Sequence, residues 1–477
     1  MTTNSRTKIV ATIGPASSPK EVLREMILAG TDVFRINFSH GSHEDHGAVI
    51  NTIRELNDEL GTYVPILADL QGPKLRIGVM EGGSVMLEAG KEIVFSTVDG
   101  PGTAERVFMT YNNFPRDTKP GEKILLDDGK LLMEVVSTNG VDEVVAKILH
   151  GGPLSSKKGV NLPNTKISLP CLTPKDLKDL DFALENDIEW IGLSFVRNAA
   201  DIIELQHIIA AKGKASRVVA KIEKPEAIED IDNIIKEADA LMVARGDLGV
   251  EVPMQSVPLI QKMLVRKCLN ASTPVIIATQ MMESMITNIS PTRAEVNDAA
   301  NSILDGADAV MLSGETSVGA HPAMVIQAMQ KIIANVEDEQ YPYNRQNQDP
   351  FPSVTDRYVS DSICTTAAKM AKDVSAKAVI TMTYSGYTAF RLASYRPKAL
   401  IFAFTSNKAI LNTLSLLWGV RAFYYDKEVS TDHTIADIKH RLKKEGFIDA
   451  NDLIINIASI PMHEHGRANM IKLSLVD

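Results

Sequence analysis

Eight short apolar runs, at residues 7–14, 33–38, 65–70, 190–195, 218–223, 240–245, 274–279 and 309–314, alternate along this chain with longer stretches of helical period. The runs are rich in β-branched residues and almost continuous in hydrophobicity, as parallel strands covered on both faces should be. Helices with recognisable starts lie between most of them. Ser18-Pro19, Thr173-Pro174 and Ser290-Pro291 each read as an N-cap followed by proline at the first helical position. Eight such strands with helices between them are the count for a (β/α)8 TIM barrel. The repeat is structural, since no stretch of the sequence resembles another.

The gap between Leu70 and Trp190 is too long for one helix and differs in character. Residues 84–87, 92–96, 107–111, 123–126, 131–137 and 143–149 alternate as strands do, with Gly-Gly, Asp-Gly and Asn-Gly turns between them. This predicts an antiparallel β-barrel lid inserted after the third barrel strand. After Glu337 the composition turns to Gln, Asn, Asp and Pro over 340–352, a linker signature. A helix over 356–372 follows, then strands at 378–383, 399–404, 420–425, 452–457 and 470–476 alternating with helices. The expected organisation is therefore α/β. A barrel spans 1–70 and 168–340, the lid spans 71–167, and a C-terminal α/β domain, the candidate effector-binding unit, spans 353–477.

A length of 477 residues suits two to four domains. The formal net charge of −10 argues against a nucleic-acid or anionic-membrane partner, so any anion site is a local basic pocket. Cys171, Cys268 and Cys364 are far apart and read as reduced thiols of a cytoplasmic protein. The segment 1–8 is polar and no apolar run approaches membrane-spanning length.

A barrel of this kind does its chemistry at the C-terminal ends of its strands. Those ends read Arg35-Ile36-Asn37-Phe38-Ser39-His40-Gly41, then Asp69, Ser194-Phe195, Lys221 with Glu223, Arg245-Gly246-Asp247, Thr279-Gln280, and Ser313-Gly314-Glu315-Thr316. Glu223 and Asp247 follow neighbouring strands, so they can share a divalent cation, with Lys221 and Arg245 supplying positive charge beside it. The competing account is an ion-pair network around the rim.

Several segments together resemble the pyruvate kinase family over nearly the whole chain. They are residues 35–41, 69–76 (DLQGPKLR), 151–163 (GGPLSSKKGVNLP), 243–249 (VARGDLG), 278–285 (ATQMMESM), 291–295 (PTRAE) and 313–316 (SGET). The resemblance implies phosphoryl transfer from phosphoenolpyruvate to ADP. Mg²⁺ or Mn²⁺ would sit on Glu223 and Asp247, Lys221 would face the phosphoryl group in flight, and Arg35 would grip the substrate phosphate. Gly246 with Asp247 would offer helix-start amides to the substrate carboxylate. Thr279 would act near the reacting carbon, or else simply cap. Ser313 and Glu315 would belong to a water-linked proton route. Arg76 and Lys158 would bind nucleotide phosphates, with Asn37 and His40 ordering the loop or nucleotide. The lid would close and exclude water. The family also suggests a homotetramer.

One departure stands out. Asn37, Ser39 and Asp69 match the K⁺ site of K⁺-requiring members and Leu70 falls at a further position of that site, but those members carry Thr and Glu where this chain has Leu70 and Lys74. A lysine ammonium there would repel the ion and replace it. The expectation is an enzyme that works without K⁺; the alternative is a solvent-facing hinge lysine. In the C-terminal domain, Thr383, Ser385 and Thr388 lie on a strand-to-helix loop that resembles an effector-phosphate nest for a sugar phosphate or AMP. Tyr384 stands where some relatives have Lys, and the late segment 463–469 (HEHGRAN) adds Arg467 and two histidines; the alternative is that the loop only caps its helix. Two other functions stay open: a catalytically silent sensor of nucleotide or sugar phosphate, and a different Mg²⁺ barrel enzyme such as an aldolase or lyase.

Overall fold

The computed structural model describes residues 5–339, 341, 343–345, 357–427, 430–460 and 466–477. Much of the expected linker, the start of the helix expected from 356, residues 1–4, and His463 and His465 lie outside the described residues.

All eight apolar runs are strands and they close one parallel barrel: Lys8–Ile13, Val33–Asn37, Ile66–Asp69, Trp190–Leu193, Arg217–Ile222, Ala240–Ala244, Val275–Ala278 and Ala309–Leu312, the last pairing with the first. Period-two alternation then sorts their side chains. Val10, Val33, Leu67, Trp190, Val219, Met242, Ile276 and Met311 point inward into one buried cluster, while Ile9, Phe34, Ile66, Ile191, Val218, Leu241, Ile277 and Val310 pack under the helices. Both faces are apolar because both are covered, which is why the runs show no alternation.

The helix starts differ in part from expectation. Thr173 caps as expected, in a reciprocal capping box with Asp176 that opens Pro174–Glu185. Ser18 does not cap. Its helix runs Lys20–Ala29, with Pro19 at the cap position and no side-chain bond. Ser290 does not cap either. Thr292 does, in a box with Glu295, and the helix runs Arg293–Asp305. In the last case the glutamate three residues after the threonine was the stronger signal, and the proline misplaced the start.

In the lid, all six expected strands are present, and Gly152–Ser155 and Val160–Asn161 add two more. They form a six-stranded and a two-stranded sheet around their own core. Pairing is antiparallel except between Glu92–Ser96 and Arg106–Phe108, which run parallel because the connection between them does not reverse the chain. The C-terminal sheet has the order Val420–Tyr424, Leu400–Thr405, Ala378–Met382, Leu453–Ala458, Met470–Leu475, and only the last pair is antiparallel.

The C-terminal domain joins the barrel at the N-terminal ends of its strands. Leu416 and Phe390 belong to the inward barrel cluster and so plug its floor. Arg396, fully buried, lies 2.8 Å from Asp308, which precedes the last barrel strand. The Trp418 amide donates to the same carboxylate at 3.3 Å, and the Arg396 guanidinium stacks 5.0 Å from the Trp418 ring centroid. The guanidinium also donates from Nη1 to the Ala393 carbonyl at 2.6 Å and from Nη2 to the Gly306 carbonyl at 2.8 Å. Its Nε is buried without a partner among the described residues, and the two domains share a buried ion pair at the floor. All three cysteines are free and buried, and burial raises the pKa of each thiol, to about 12 for Cys364.

Candidate active site

The inward parity that builds the barrel core also builds the site. Moving two residues up from Val10, Val33, Leu67 and Val219 gives Thr12, Arg35, Asp69 and Lys221, the next inward layer at the C-terminal rim. In register, Thr12 sits opposite Arg35 and Asn37 opposite Asp69. Gly192 belongs to the same layer. A Cβ on it would sit 3.4 Å from Asp69 Oδ1, in ordinary contact with the carboxylate.

Asp69 organises this layer and is 1% exposed. Its Oδ2 accepts Arg35 Nε at 2.7 Å and lies 2.6 Å from Nη2, while its Oδ1 lies 3.0 Å from Lys221 Nζ. Arg35 Nη1 also donates to Thr12 Oγ1 at 2.9 Å. Lys221 Nζ is 3.0 Å from Glu223 Oε1 and donates to Ser194 Oγ at 2.6 Å, and that hydroxyl in turn donates to the Leu70 carbonyl at 2.7 Å. Glu223 Oε2 accepts the Phe195 amide at 2.7 Å. Phe195 has φ 56°, an uncommon left-handed conformation for so large a side chain, and it aims that amide at Glu223.

The electrostatics follow from burial and pairing. Burial acts most strongly on Lys221 and opposes its charge, yet Asp69 and Glu223 together outweigh it and raise its pKa, so the ammonium stays protonated. Burial is also the largest influence on Asp69, but Lys221 and Arg35 overcome it and lower its pKa. For Glu223 burial wins. It raises the pKa, Asp247 adds to the rise, and Lys221 opposes it. Asp247, half-buried in the helix Arg245–Glu251, therefore stands near enough to Glu223 for their charges to repel. Among the described residues its carboxylate has no hydrogen-bond or ion-pair partner. Arg245, next to it, is turned away onto Asp298 at 2.8 Å and the Thr279 carbonyl at 2.7 Å.

Two expected ligand contacts are occupied by the chain itself. The Gly246 amide donates to Thr279 Oγ1 at 2.8 Å, and that hydroxyl donates to the Ala278 carbonyl at 2.6 Å. Thr279 and Gln280 both have positive φ, 69° and 55°, and a β-branched residue in that region is a strained outlier of the kind found at functional sites. Glu315 is 2% exposed, and its oxygens accept the Met282 amide at 3.0 Å and the Ser313 amide at 2.6 Å. It ties together the loops after the seventh and eighth strands. Glu315→Gln leaves one of those amides facing a donor and is expected to lower stability by roughly 1–3 kcal/mol. The urea midpoint checks this, and an unchanged midpoint would mean the amides find other acceptors.

The remaining candidates are spread more widely. Asn37 Oδ1 accepts the Ser39 amide at 3.1 Å, and His40 is exposed. Asp69 and the Leu70 carbonyl already accept protein donors. Lys74 is exposed and lines the cleft between lid and barrel together with Phe195 and Asp247. Arg76 Nη1 donates to the Lys157 carbonyl at 3.0 Å, and Lys158 pairs with Asp127 at 2.7 Å, so both are held within the lid. In the C-terminal loop, Ser385 is exposed, and Thr383 Oγ1 accepts the Gly386 amide at 3.0 Å. Thr388 is buried with its hydroxyl 2.6 Å from that of Thr381, so it turns beneath the helix rather than into the nest. Sequence reasoning assigned no role to Thr12 or Ser194. Both share the inward parity of the catalytic layer, which was the available signal.

A closed barrel with a buried lysine held between two carboxylates, beneath a β lid, defines a lidded barrel enzyme that handles an anionic group. The family model described as pyruvate kinase, barrel domain, matches residues 4–326, and that described as pyruvate kinase, alpha/beta domain, matches residues 361–474. A pyruvate kinase of Corynebacterium efficiens is 41% identical over 99% of this chain and 98% of its own length. One of Geobacillus stearothermophilus is 42% identical over 99% of this chain and 80% of its own. The crystal structure of a pyruvate kinase from Cryptosporidium parvum matches with TM-score 0.94 at 35% identity, covering 100% of this chain and 97% of that one. The chain belongs to the pyruvate kinase family and is a phosphotransferase.

Proposed function

We propose that the chain transfers the phosphoryl group of phosphoenolpyruvate to ADP, giving pyruvate and ATP, the last step of glycolysis. The observation that carries this is Lys221, buried and cationic, at the inner rim beside Glu223 and Arg35. Transfer of a phosphoryl group needs placement and positive charge on its three oxygens more than covalent chemistry. Lys221 offers that charge in a site shielded from water. The Arg35 fork, anchored by Asp69 and Thr12, positions the substrate phosphate. The unpaired Asp247 carboxylate beside buried Glu223 suits a hard divalent cation, Mg²⁺ or Mn²⁺. Among the described residues no cluster of three or more His, Cys, Asp or Glu could hold such an ion alone, so substrate oxygens and water would complete its shell. When bound, that ion would neutralise charge on the transferring oxygens. The strained Thr279 backbone fixes its hydroxyl near Gly246, where it can serve the enol carbon that takes up a proton.

Asn37, His40, Arg76 and Lys158 serve the nucleotide in this reading, and the pairing of Lys158 with Asp127 would give way to phosphate. The loop at Thr383 and Ser385 opens on a cavity of about 900 Å³ also lined by Thr405, Ser406 and Lys427, which fits a phosphorylated effector such as a sugar phosphate or AMP. A cytoplasmic homotetramer completes the proposal; no helix among the described residues is long and apolar enough to cross a membrane.

Purified protein should form pyruvate only when phosphoenolpyruvate, ADP and Mg²⁺ or Mn²⁺ are all present. Absence of turnover would favour a silent sensor, and turnover without ADP would favour a lyase or aldolase. The same assay tests Lys74. Among the described residues its ammonium has no carboxylate partner, and it lines the cleft with Asp247. Full activity is expected without K⁺ or NH₄⁺, and Lys74→Glu should create a K⁺ requirement. Activity lost in K⁺-free buffer and restored by K⁺ would reject this.

A further inference from the structure

The contact by which the lid grips the barrel lies beside the two candidate metal carboxylates. Asn161, on the short lid strand Val160–Asn161, donates from Nδ2 to Glu251 Oε1 at 2.7 Å. Among the described residues no other side-chain hydrogen bond or ion pair joins residues 75–162 to the strands and helices of the barrel. The same Oε1 accepts Lys224 Nζ at 2.8 Å. The Glu251 side chain is 1% exposed and its Oε2 is buried with no partner. A buried carboxylate with an orphaned oxygen is costly to keep, so this geometry is maintained against its own desolvation.

The chain connectivity says what it is linked to. Glu251 ends the helix Arg245–Glu251, one turn after Asp247 on the same short rigid element. Lys224 directly follows Glu223 and precedes the helix Pro225–Glu229. One carboxylate thus spans both metal-binding segments and the lid. Asn161, Glu251, Lys224, Asp247 and Lys74 all line the cleft between lid and barrel. If the lid lifts, Glu251 loses its Asn161 partner and keeps only Lys224.

We propose that Glu251 is a positioning residue that couples lid posture to the Glu223–Asp247 pair, with Asn161 as the lid half of the latch. Lid closure gives Glu251 Oε1 its Asn161 donor beside Lys224, which holds the Asp247 helix and the Lys224 backbone in the arrangement that binds the cation. The inference rests on the phosphoryl-transfer reading for its purpose, but its test does not depend on turnover.

The experiment measures Mn²⁺ binding to the free protein by electron paramagnetic resonance, alongside the KM for ADP and kcat. Glu251→Gln should weaken Mn²⁺ binding by about tenfold or more, as loss of a group supporting a metal ligand does. Asn161→Ala, a change on the lid, should raise the KM for ADP by about tenfold with a smaller change in kcat. Asn161→Asp should be worse than Ala, because a second carboxylate would repel Glu251 and hold the lid away. The double variant Asn161→Ala with Glu251→Gln should lose less than the sum of the two, the mark of a coupled pair. Mn²⁺ binding and ADP KM within about twofold of wild type in both single variants would overturn the latch, as would additive losses. Should Glu251→Gln fail to fold, the order Asp worse than Ala worse than Asn at position 161 decides alone. Wild-type protein that forms no pyruvate would sink the functional reading, while the Mn²⁺ measurements still decide the latch.

Discussion

Lys221→Met slows pyruvate formation by about 10³-fold or more, the scale on which a single cation facing a phosphoryl group acts. Methionine keeps the length of the apolar stem and removes only the ammonium. Asp69 Oδ1 and Glu223 Oε1, each 3.0 Å from that ammonium in the wild type, are then left facing one another without a shared cation. Two effects should therefore appear together. The chemical step loses the charge that stabilises the phosphoryl oxygens, and the rim loses stability because buried carboxylates are left uncompensated. Steady-state kinetics and a denaturant titration on the same preparation separate them. Lys221→Arg restores the charge, but its wider planar head does not fit the point between the two carboxylates, so it should recover stability better than rate. A Lys221→Met enzyme within about tenfold of the wild-type kcat would remove the basis of the functional proposal.

Asp69→Asn is expected to have the largest effect on stability. The change is nearly isosteric, yet it leaves the Arg35 guanidinium and the Lys221 ammonium sharing a neutral amide in a layer where Asp69 is 1% exposed. Breaking a buried ion pair from one side costs roughly 3–5 kcal/mol. The urea midpoint should fall with little change in slope. The pH dependence identifies the cause. Lys221 and Arg35 hold the folded-state pKa of Asp69 below its ordinary value, so its stabilisation is fully present above the unfolded-state pKa of about 3.9 and is lost as pH falls through the folded value. The gap between wild type and variant should therefore be constant from about pH 7 to pH 5 and close only in stronger acid. A gap that persists in strong acid would point to packing instead of charge.

The barrel was legible because both faces of its strands are buried. Continuous apolar runs cannot be mistaken for half-exposed strands, and the polar residues that end them must lie at one rim. Arg35, Asp69, Lys221 and Glu223 were found in this way, and they gather around shared partners. Helix starts were less legible where a Ser-Pro pair competed with a true capping box, as at Ser290 against Thr292 with Glu295. In the lid, strands could be located, but nothing local says that Glu92–Ser96 and Arg106–Phe108 run parallel.

Partner choice was the least legible layer. Glu315 looked free to move protons, but both its oxygens hold main-chain amides. Lys158 looked free for phosphate and pairs with Asp127. Asn161 lay inside the quoted segment 151–163, but neither it nor Glu251 was given a role. Each of these contacts depends on which atoms meet after folding, and hydrogen bonds leave little trace in residue type.

The order and spacing of apolar and polar residues determined by themselves that this chain forms a parallel barrel, that it carries an inserted β unit, and that its rim is charged, because burial and pleat parity are local properties repeated along each strand. Only the tertiary structure decided that Asp69 serves two cations, that Glu251 links the lid to two strand ends, and that Arg396 locks the barrel floor, because those pairings join residues remote in the chain whose geometry exists only once the barrel has closed.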